Sequence, residues 1–148
     1  MKFLLRVSIL LAPLALTVFA GDLSGTWKAV FTGEMGQRPK MVSEMVFQLK
    51  VKDGRVTGMA HMSDWPGDAP ISAGWLDGDR VRFTVIGRQP WSAYSGGTVT
   101  IGYPKLEFTG TIHGDEMDLS LAWGSVNVIG KDEPGGSLLE MHATRLPD

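Results

Sequence analysis

Three histidines are the residues of this sequence best suited to acid–base chemistry or to binding a metal ion. In the strand pattern derived below, His61 and His142 lie on outward faces and His113 lies in a turn, so we expect nothing to bring them together. The sequence has no cysteine, no His-x-His pair and no His-Glu-x-x-His motif. We therefore predict no metal site and no cofactor, and we interpret the histidines as solvated surface residues.

Acidic residues cluster near predicted turns, at Asp77, Asp79, Asp115, Glu116 and Asp118. Paired carboxylates do acid–base work when they lie about 5–10 Å apart. Aspartate beside glycine also tolerates unusual φ values and hydrogen-bonds its own backbone, so turn formation explains the cluster without catalysis. We predict that the protein is not an enzyme; a barrel enzyme without a recognisable motif stays open as a third alternative.

Aromatic residues in the long connections are more informative about function than the histidines and the acidic residues. Trp65 and Trp91 stand beside prolines, and Tyr94 follows closely. Aromatic side chains supply much apolar contact area at small entropic cost and are enriched at recognition sites. The same residues would serve equally well as a lid folded over the protein, and both readings stay open.

The first twenty residues have the three parts of a secretory signal peptide. Lys2 and Arg6 supply the positive start, the apolar run Val7 to Phe19 is too short to span a bilayer, and the run ends in small residues at Val18 and Ala20. We predict cleavage after Ala20, an extracellular or periplasmic location, and one domain over residues 21–148. An uncleaved membrane anchor is the alternative, and it is disfavoured by the length of the run.

Composition narrows the possible partners. Removing Lys2 and Arg6 from the fourteen basic residues leaves twelve against sixteen acidic ones, the opposite of a nucleic-acid footprint. The absence of cysteine excludes disulfides and lipoprotein anchoring through a cysteine. We expect no nucleic-acid partner and no membrane anchor after cleavage.

Short alternating runs separated by Gly, Asp and Pro predict an all-β fold. Asp53-Gly54 suits a two-residue hairpin turn after Met41–Lys52, and this register places Leu49 opposite Gly58 and Phe47 opposite Ala60. We predict eight strands: Ser24–Thr32, Met41–Lys52, Arg55–Ser63, Ile71–Leu76, Val81–Gly87, Lys105–Ile112, Met117–Trp123 and Leu138–Arg145.

A weak repeat supports two further hairpins, since residues 74–83 resemble residues 110–119. It pairs Leu76 with Val81 and Ile112 with Met117, and it places Gly74 opposite Phe83 and Gly110 opposite Leu119. Trp75 points outward beside the first of these turns, and the sequence indicates no function for it.

Eight such strands predict a closed antiparallel up-and-down barrel, which leaves no exposed edge. Tight turns join strands at one end, and longer connections at Gly33–Lys40, Asp64–Pro70, Arg88–Pro104 and Gly124–Ser137 frame a mouth at the other. Thr98–Tyr103 is a short separate strand or part of a loop, because Pro104 cannot donate to a ladder. Trp27 and Trp123 fall on inward positions of their strands.

Leu23-Ser24-Gly25-Thr26-Trp27-Lys28 resembles the opening strand of the calycins, the lipocalin and avidin group of barrels, which carries Gly-x-Trp. Their last strand ends in a basic residue that lies across this tryptophan, and Arg145 is similar in position. The resemblance implies a barrel in which Arg145 stacks on Trp27. Biotin binding is not implied, because Ala29 stands where biotin binders carry an asparagine, and no helix like that of the lipocalins is predicted. The sequence also resembles uncharacterised small β-domains of secreted bacterial proteins, which supply no activity.

We expect a binding barrel that takes a small apolar or amphipathic ligand at the mouth. The candidate contacts are the mouth aromatics and three inward-facing side chains: Trp65, Trp91, Tyr94, Phe31, Phe47 and Met62. The alternative is a protein-interaction or inhibitor module that acts on a secreted enzyme. The alternative requires a barrel filled by its own inward side chains: Met45, Phe47, Met62, Phe83, Phe108, Leu119, Leu121, Trp123 and Met141.

Overall fold

The computed structural model describes residues 22–33, 41–63, 65–127 and 132–148, so the expected signal peptide and connection 34–40 lie outside the described residues. Within those residues the chain forms nine strands: β1 (Gly25–Gly33), β2 (Met41–Lys52), β3 (Arg55–Met62), β4 (Ala69–Asp77), β5 (Arg80–Ile86), β6 (Trp91–Ser95), β7 (Thr98–His113), β8 (Glu116–Asn127) and β9 (Asp132–Arg145). This part of the chain contains no helix long and apolar enough to cross a membrane.

Eight of the strands close into an antiparallel barrel. Their order is β5-β4-β3-β2-β1-β9-β8-β7, and pairing of β5 with β7 completes the ring. The remaining strand, β6, adds to the outer half of β7. The predicted up-and-down barrel of eight strands is therefore confirmed.

Most predicted registers are confirmed. Leu49 lies opposite Gly58, and Phe47 lies opposite Ala60. Ile112 pairs with Met117, and Gly110 pairs with Leu119. Large and small residues therefore alternate across the inner face, which lets side chains interdigitate in a curved sheet.

One predicted register is wrong, at the middle of β4. Ser72 pairs with Thr84 and Trp75 pairs with Arg82, so Ala73 and Gly74 together oppose Phe83 instead of Gly74 alone. The extra residue is a β-bulge, and Ala73 accommodates it with a φ of 47°.

Aromatic rings fill the centre of the barrel. The Phe47 ring meets Phe83 and Phe108 edge-on at centroid distances of 5.2 and 5.1 Å, and Phe83 stacks on Phe108 at 4.9 Å. All three side chains are fully buried. An eight-stranded barrel is just wide enough to be filled by side chains, and this one is filled in that way.

Tight turns seal one end, which we call the closed end. A backbone carbonyl in each turn accepts a hydrogen bond from a neighbouring strand. Leu76 N donates to Gly54 O at 2.7 Å, and Ile112 N donates to Asp79 O at 2.8 Å. Arg145 N donates to Asp115 O at 2.8 Å in the same way. These hydrogen bonds hold the strands together at the closed end. We call the opposite end the mouth.

Extended strands, not long loops, form much of the mouth. The predicted loop Arg88–Pro104 is instead the hairpin of β6 and the first half of β7, and β8 and β9 continue into the predicted loop Gly124–Ser137. Thr98–Tyr103 therefore belongs to β7, which runs through Pro104 without a break in its pairing with β8.

Pro104 is tolerated because of where β7 changes partner. Its pairing with β6 ends at Gly102, and its pairing with β5 begins at Lys105. The carbonyl of Pro104 accepts a hydrogen bond from Gly87 N at 2.8 Å, so the side of Pro104 that lacks an N–H faces the gap between β6 and β5. No ladder hydrogen bond is lost there.

Candidate functional site

The indole of Trp65 lies against the inner face of β7 at the mouth. A Cβ atom added at Gly87 would lie 2.6 Å from Pro104 Cγ and 3.0 Å from Trp65 Cζ3. Glycine at position 87 therefore lets the indole approach the proline ring, and Trp65 also packs on the edge of the core. The connection between β3 and β4 is anchored through this residue.

Trp91 lies on the same face of β7, one inner position further out. It pairs with Gly102, and a Cβ atom on that glycine would lie 2.9 Å from Trp91 Cζ2. The indole thus covers the glycine while much of the ring stays exposed.

Trp123 lies opposite Leu106 in the β7–β8 ladder, where opposed residues share a face. Leu106 is buried in the core, but Trp123 is 41% exposed and is not among the side chains that pack against the core. The indoles along the inner face of β7 are therefore Trp91 and Trp65, near Gly102 and Pro104, two inner positions that are about 7 Å apart.

A pocket opens beside Trp65, between the β3–β4 and β5–β6 connections. It encloses about 250 Å³ and is lined by Trp65, Pro66, Gly67, Asp68, Ala69, Gly87, Arg88, Gln89, Pro90 and Pro104. Three prolines and an indole give it an apolar wall, while Asp68 and Arg88 add opposite charges. Such a lining suits a ligand with one apolar and one polar part.

The six predicted contact residues do not all meet. Trp65 and Trp91 lie along the same face of β7, and Phe31 lies half-buried on the inner face of β1 toward the mouth. Phe47 lies in the central aromatic cluster. Met62, the last residue of β3, is buried opposite Met45, and its carbonyl accepts a hydrogen bond from Trp65 N at 3.1 Å.

Tyr94 lies on the opposite face of the β6–β7 hairpin from Trp91. It pairs with Val99, it is 76% exposed, and Ile101 next to Val99 on the same face is also exposed. Residues 91–104 contain no Lys, Arg, Asp or Glu. Natural edge strands usually carry charge or proline for protection, so this uncharged edge, which pairs only with β7 in the described chain, is unusual.

Two of the histidines, His113 and His142, lie at the same carboxylate, contrary to the prediction that nothing brings the histidines together. His142 Nδ1 lies 2.8 Å from Asp118 Oδ1, and His113 Nε2 lies 3.6 Å from Asp118 Oδ2. The β8–β9 ladder places His142 opposite Asp118, a register that depends on the β8–β9 connection and has no turn motif to fix it. His61 is separate and pairs with Asp68 at 2.8 Å. In the described ranges no three His, Cys, Asp or Glu side chains have an arrangement that could hold a metal ion.

The sequence predicts that Arg88 and Pro104 bound a mouth connection, but it does not single out either of them as a contact residue. Alternation with Leu119 and Leu121 predicts that Trp123 faces inward, but alternation reports the face of a strand and not the exposure of the side chain. Because Pro104 cannot donate to a ladder, it indicates a break that β7 does not have. In each hairpin, the last pairing of a large residue with a small one predicts where the barrel ends. Apolar residues that continue past that pairing would have indicated strands that extend beyond the barrel.

Comparison with known proteins adds no relative: a scan against family models, a search of curated proteins and a search of solved structures each gave no match.

Proposed function

We propose that this protein is a secreted, non-enzymatic binding barrel of calycin-like design that holds a small amphipathic ligand at its mouth. The observation that carries the proposal is the pair of indoles, Trp65 and Trp91, along the inner face of β7 at the mouth of a filled barrel. The two rings provide an apolar surface, and the pocket beside Trp65 supplies Asp68 and Arg88 as polar contacts.

In this proposal the ligand rests on the mouth and does not enter the barrel. The filled core supports that position, since the rings of Phe47, Phe83 and Phe108 pack together inside the barrel. Ligand pockets for drug-sized molecules span roughly 300–1,000 Å³. A pocket of about 250 Å³ suits a smaller group, such as one ring with a carboxylate directed at Arg88.

Calorimetric titration of the exported protein with phenylacetate and with decanoate tests the proposal. Trp91→Ala and Arg88→Gln should each weaken binding by about tenfold, since each removes one apolar or charged contact. Gly102→Ala offers a subtler test, because the added methyl group displaces the Trp91 ring without removing it. Its effect should be in the same direction.

Tyr94→Ala is the matched control, because Tyr94 is an exposed aromatic of the same hairpin on the opposite face. Binding that responds equally to Tyr94→Ala and Trp91→Ala would contradict the proposed mouth site. The absence of saturable heat with both probes would favour the second function below.

A second candidate, a protein-interaction module, is favoured by the filled barrel, which that function requires, and by the uncharged edge of β6, which pairs only with β7 among the described residues. Another secreted protein could add a strand there, with Tyr94, Val99 and Ile101 contacting it. A photoreactive amino acid at position 94 should then cross-link one defined partner in the native compartment. The same amino acid at Lys50, on the exposed wall of β2, is the control and should not.

A further inference from the structure

A groove crosses the outer wall of the barrel, away from Trp65 and Trp91. It encloses about 540 Å³ and is lined by residues of β4, β5, β7 and β8, among them Trp75, Arg82 and Glu107. The Trp75 side chain is 43% exposed and forms an apolar platform in the groove. Neither the core nor the proposed mouth site uses this indole.

The bulge in β4 shapes the groove. Ala73 adopts a φ of 47°, a conformation that an L side chain rarely takes outside turns, and the next residue opposes no residue of its own on β5. The bulge brings Ser72, Ala73 and Trp75 to the same outer wall. Backbone strain of this kind persists only where the surrounding structure holds it in place, and it is found most often at functional sites.

Charged side chains beside the platform hold one another in position. Glu107 lies 3.5 Å from Arg82 Nη2 and 3.6 Å from Lys105 Nζ, and the Lys105 side chain is only 15% exposed. A carboxylate that accepts and two cations that donate are thus fixed next to an indole face. The exposed Ser72 also lines the groove, and its hydroxyl, which donates to Thr84 O at 3.4 Å, can still accept a hydrogen bond.

We infer that this groove is a carbohydrate-binding site, in which a pyranose ring of an oligosaccharide stacks on Trp75. A sugar ring has an apolar face of C–H groups and a rim of hydroxyl groups, each of which both donates and accepts hydrogen bonds. The groove offers the complementary arrangement, an exposed indole with both donors and an acceptor around it. A wholly apolar ligand is disfavoured, because it would bury the ion pairs of Glu107 with Arg82 and Lys105 without offering them a hydrogen bond.

Nuclear magnetic resonance of the isotope-labelled exported protein tests the inference with cellohexaose, chitohexaose and an oligogalacturonate as probes. At least one should shift the indole N–H signal of Trp75 saturably, together with amides of β5 and β7. Trp75→Ala should weaken this binding by about tenfold, and Trp75→Tyr should retain part of it because a ring remains. Arg82→Gln and Glu107→Gln should each weaken it severalfold.

Trp91→Ala is the control, since it removes an exposed indole from the mouth and should leave saccharide binding unchanged. Unaltered spectral dispersion would show that each variant still folds. The inference is overturned if none of the three saccharides gives a saturable shift, or if the shifts persist in Trp75→Ala. Shifts confined to Trp91 and its neighbours would also overturn it, because they would place the saccharide at the mouth.

Discussion

The guanidinium carbon of Arg145 lies 4.5 Å from the centroid of the Trp27 indole, and so ties the last strand of the barrel to the first. Its Nε donates to Asp115 Oδ1 at 2.9 Å, and its terminal nitrogens donate to the carbonyls of Ser24 and Asp22. The indole nitrogen of Trp27 donates to Leu23 O at 2.9 Å. One side chain therefore joins β1, β9 and the β7–β8 turn at the closed end.

Removing this side chain should lower stability much more than removing an exposed arginine. Arg145→Ala should lower the free energy of unfolding by about 1–3 kcal/mol, since it removes a cation–π contact and several charged hydrogen bonds. Arg55→Ala, in the exposed β2–β3 hairpin, should change it by less than about 0.5 kcal/mol. Urea unfolding measures both, and equal effects would mean that Arg145 does not close the barrel.

The aromatic cluster predicts a second stability difference. Phe47→Ala should cost about 3–5 kcal/mol, because Phe83 and Phe108 leave the resulting cavity only partly able to collapse. Phe31→Ala, which removes the same side chain from a half-buried position, should cost clearly less. Thermal and urea denaturation would test this. A small loss for Phe47→Ala would indicate a loosely packed interior with room for a ligand.

Two adjacent residues of the β4 bulge should respond in opposite directions. A Cβ atom at position 74 would lie 2.3 Å from Val56 O, so Gly74→Ala should destabilise the protein by about 1–3 kcal/mol. Ala73→Gly should be neutral or stabilising by up to about 1 kcal/mol, since it relieves the positive φ. Differential scanning calorimetry compares them, and a marked loss for Ala73→Gly would contradict the strain at that position.

Export should remove the leader. We predict that the intact mass of the exported protein corresponds to residues 21–148, because cleavage after Ala20 follows the charge, length and small-residue pattern of the first twenty residues. Lys2→Glu should slow export without changing the mass of the protein that is released. Retention of Met1 in the exported form, or persistence with the membrane after a carbonate wash, would count against a secreted protein.

Local sequence determined the parts of the fold governed by tight turns. Asp53-Gly54 fixes the β2–β3 register, because a two-residue turn leaves no freedom in the pairing that follows it. The contact of Arg145 with Trp27 is implied by the resemblance of the first and last strands to those of the calycins, and not by a local turn.

The mouth was less predictable because its features depend on pairing between distant strands. β7 continues through Pro104 only because its partner changes from β6 to β5 at that residue, and the sequence carries no mark of the change. The meeting of His142 with Asp118 likewise depends on the β8–β9 ladder. Alternation predicts the inner face for Phe47 and Met62, and both are buried there, but depth along the barrel axis is a property of the closed ring and not of the local sequence.

The closed end also brings Asp22 beside Arg145, and Leu146 N donates to Thr26 O at 2.8 Å. The first and last described segments of the chain therefore lie side by side at the closed end. A short linker could join them, and new termini could be opened at the exposed Asp53-Gly54 turn without crossing any strand. The order in which the strands are connected could thus be permuted while the mouth kept its arrangement.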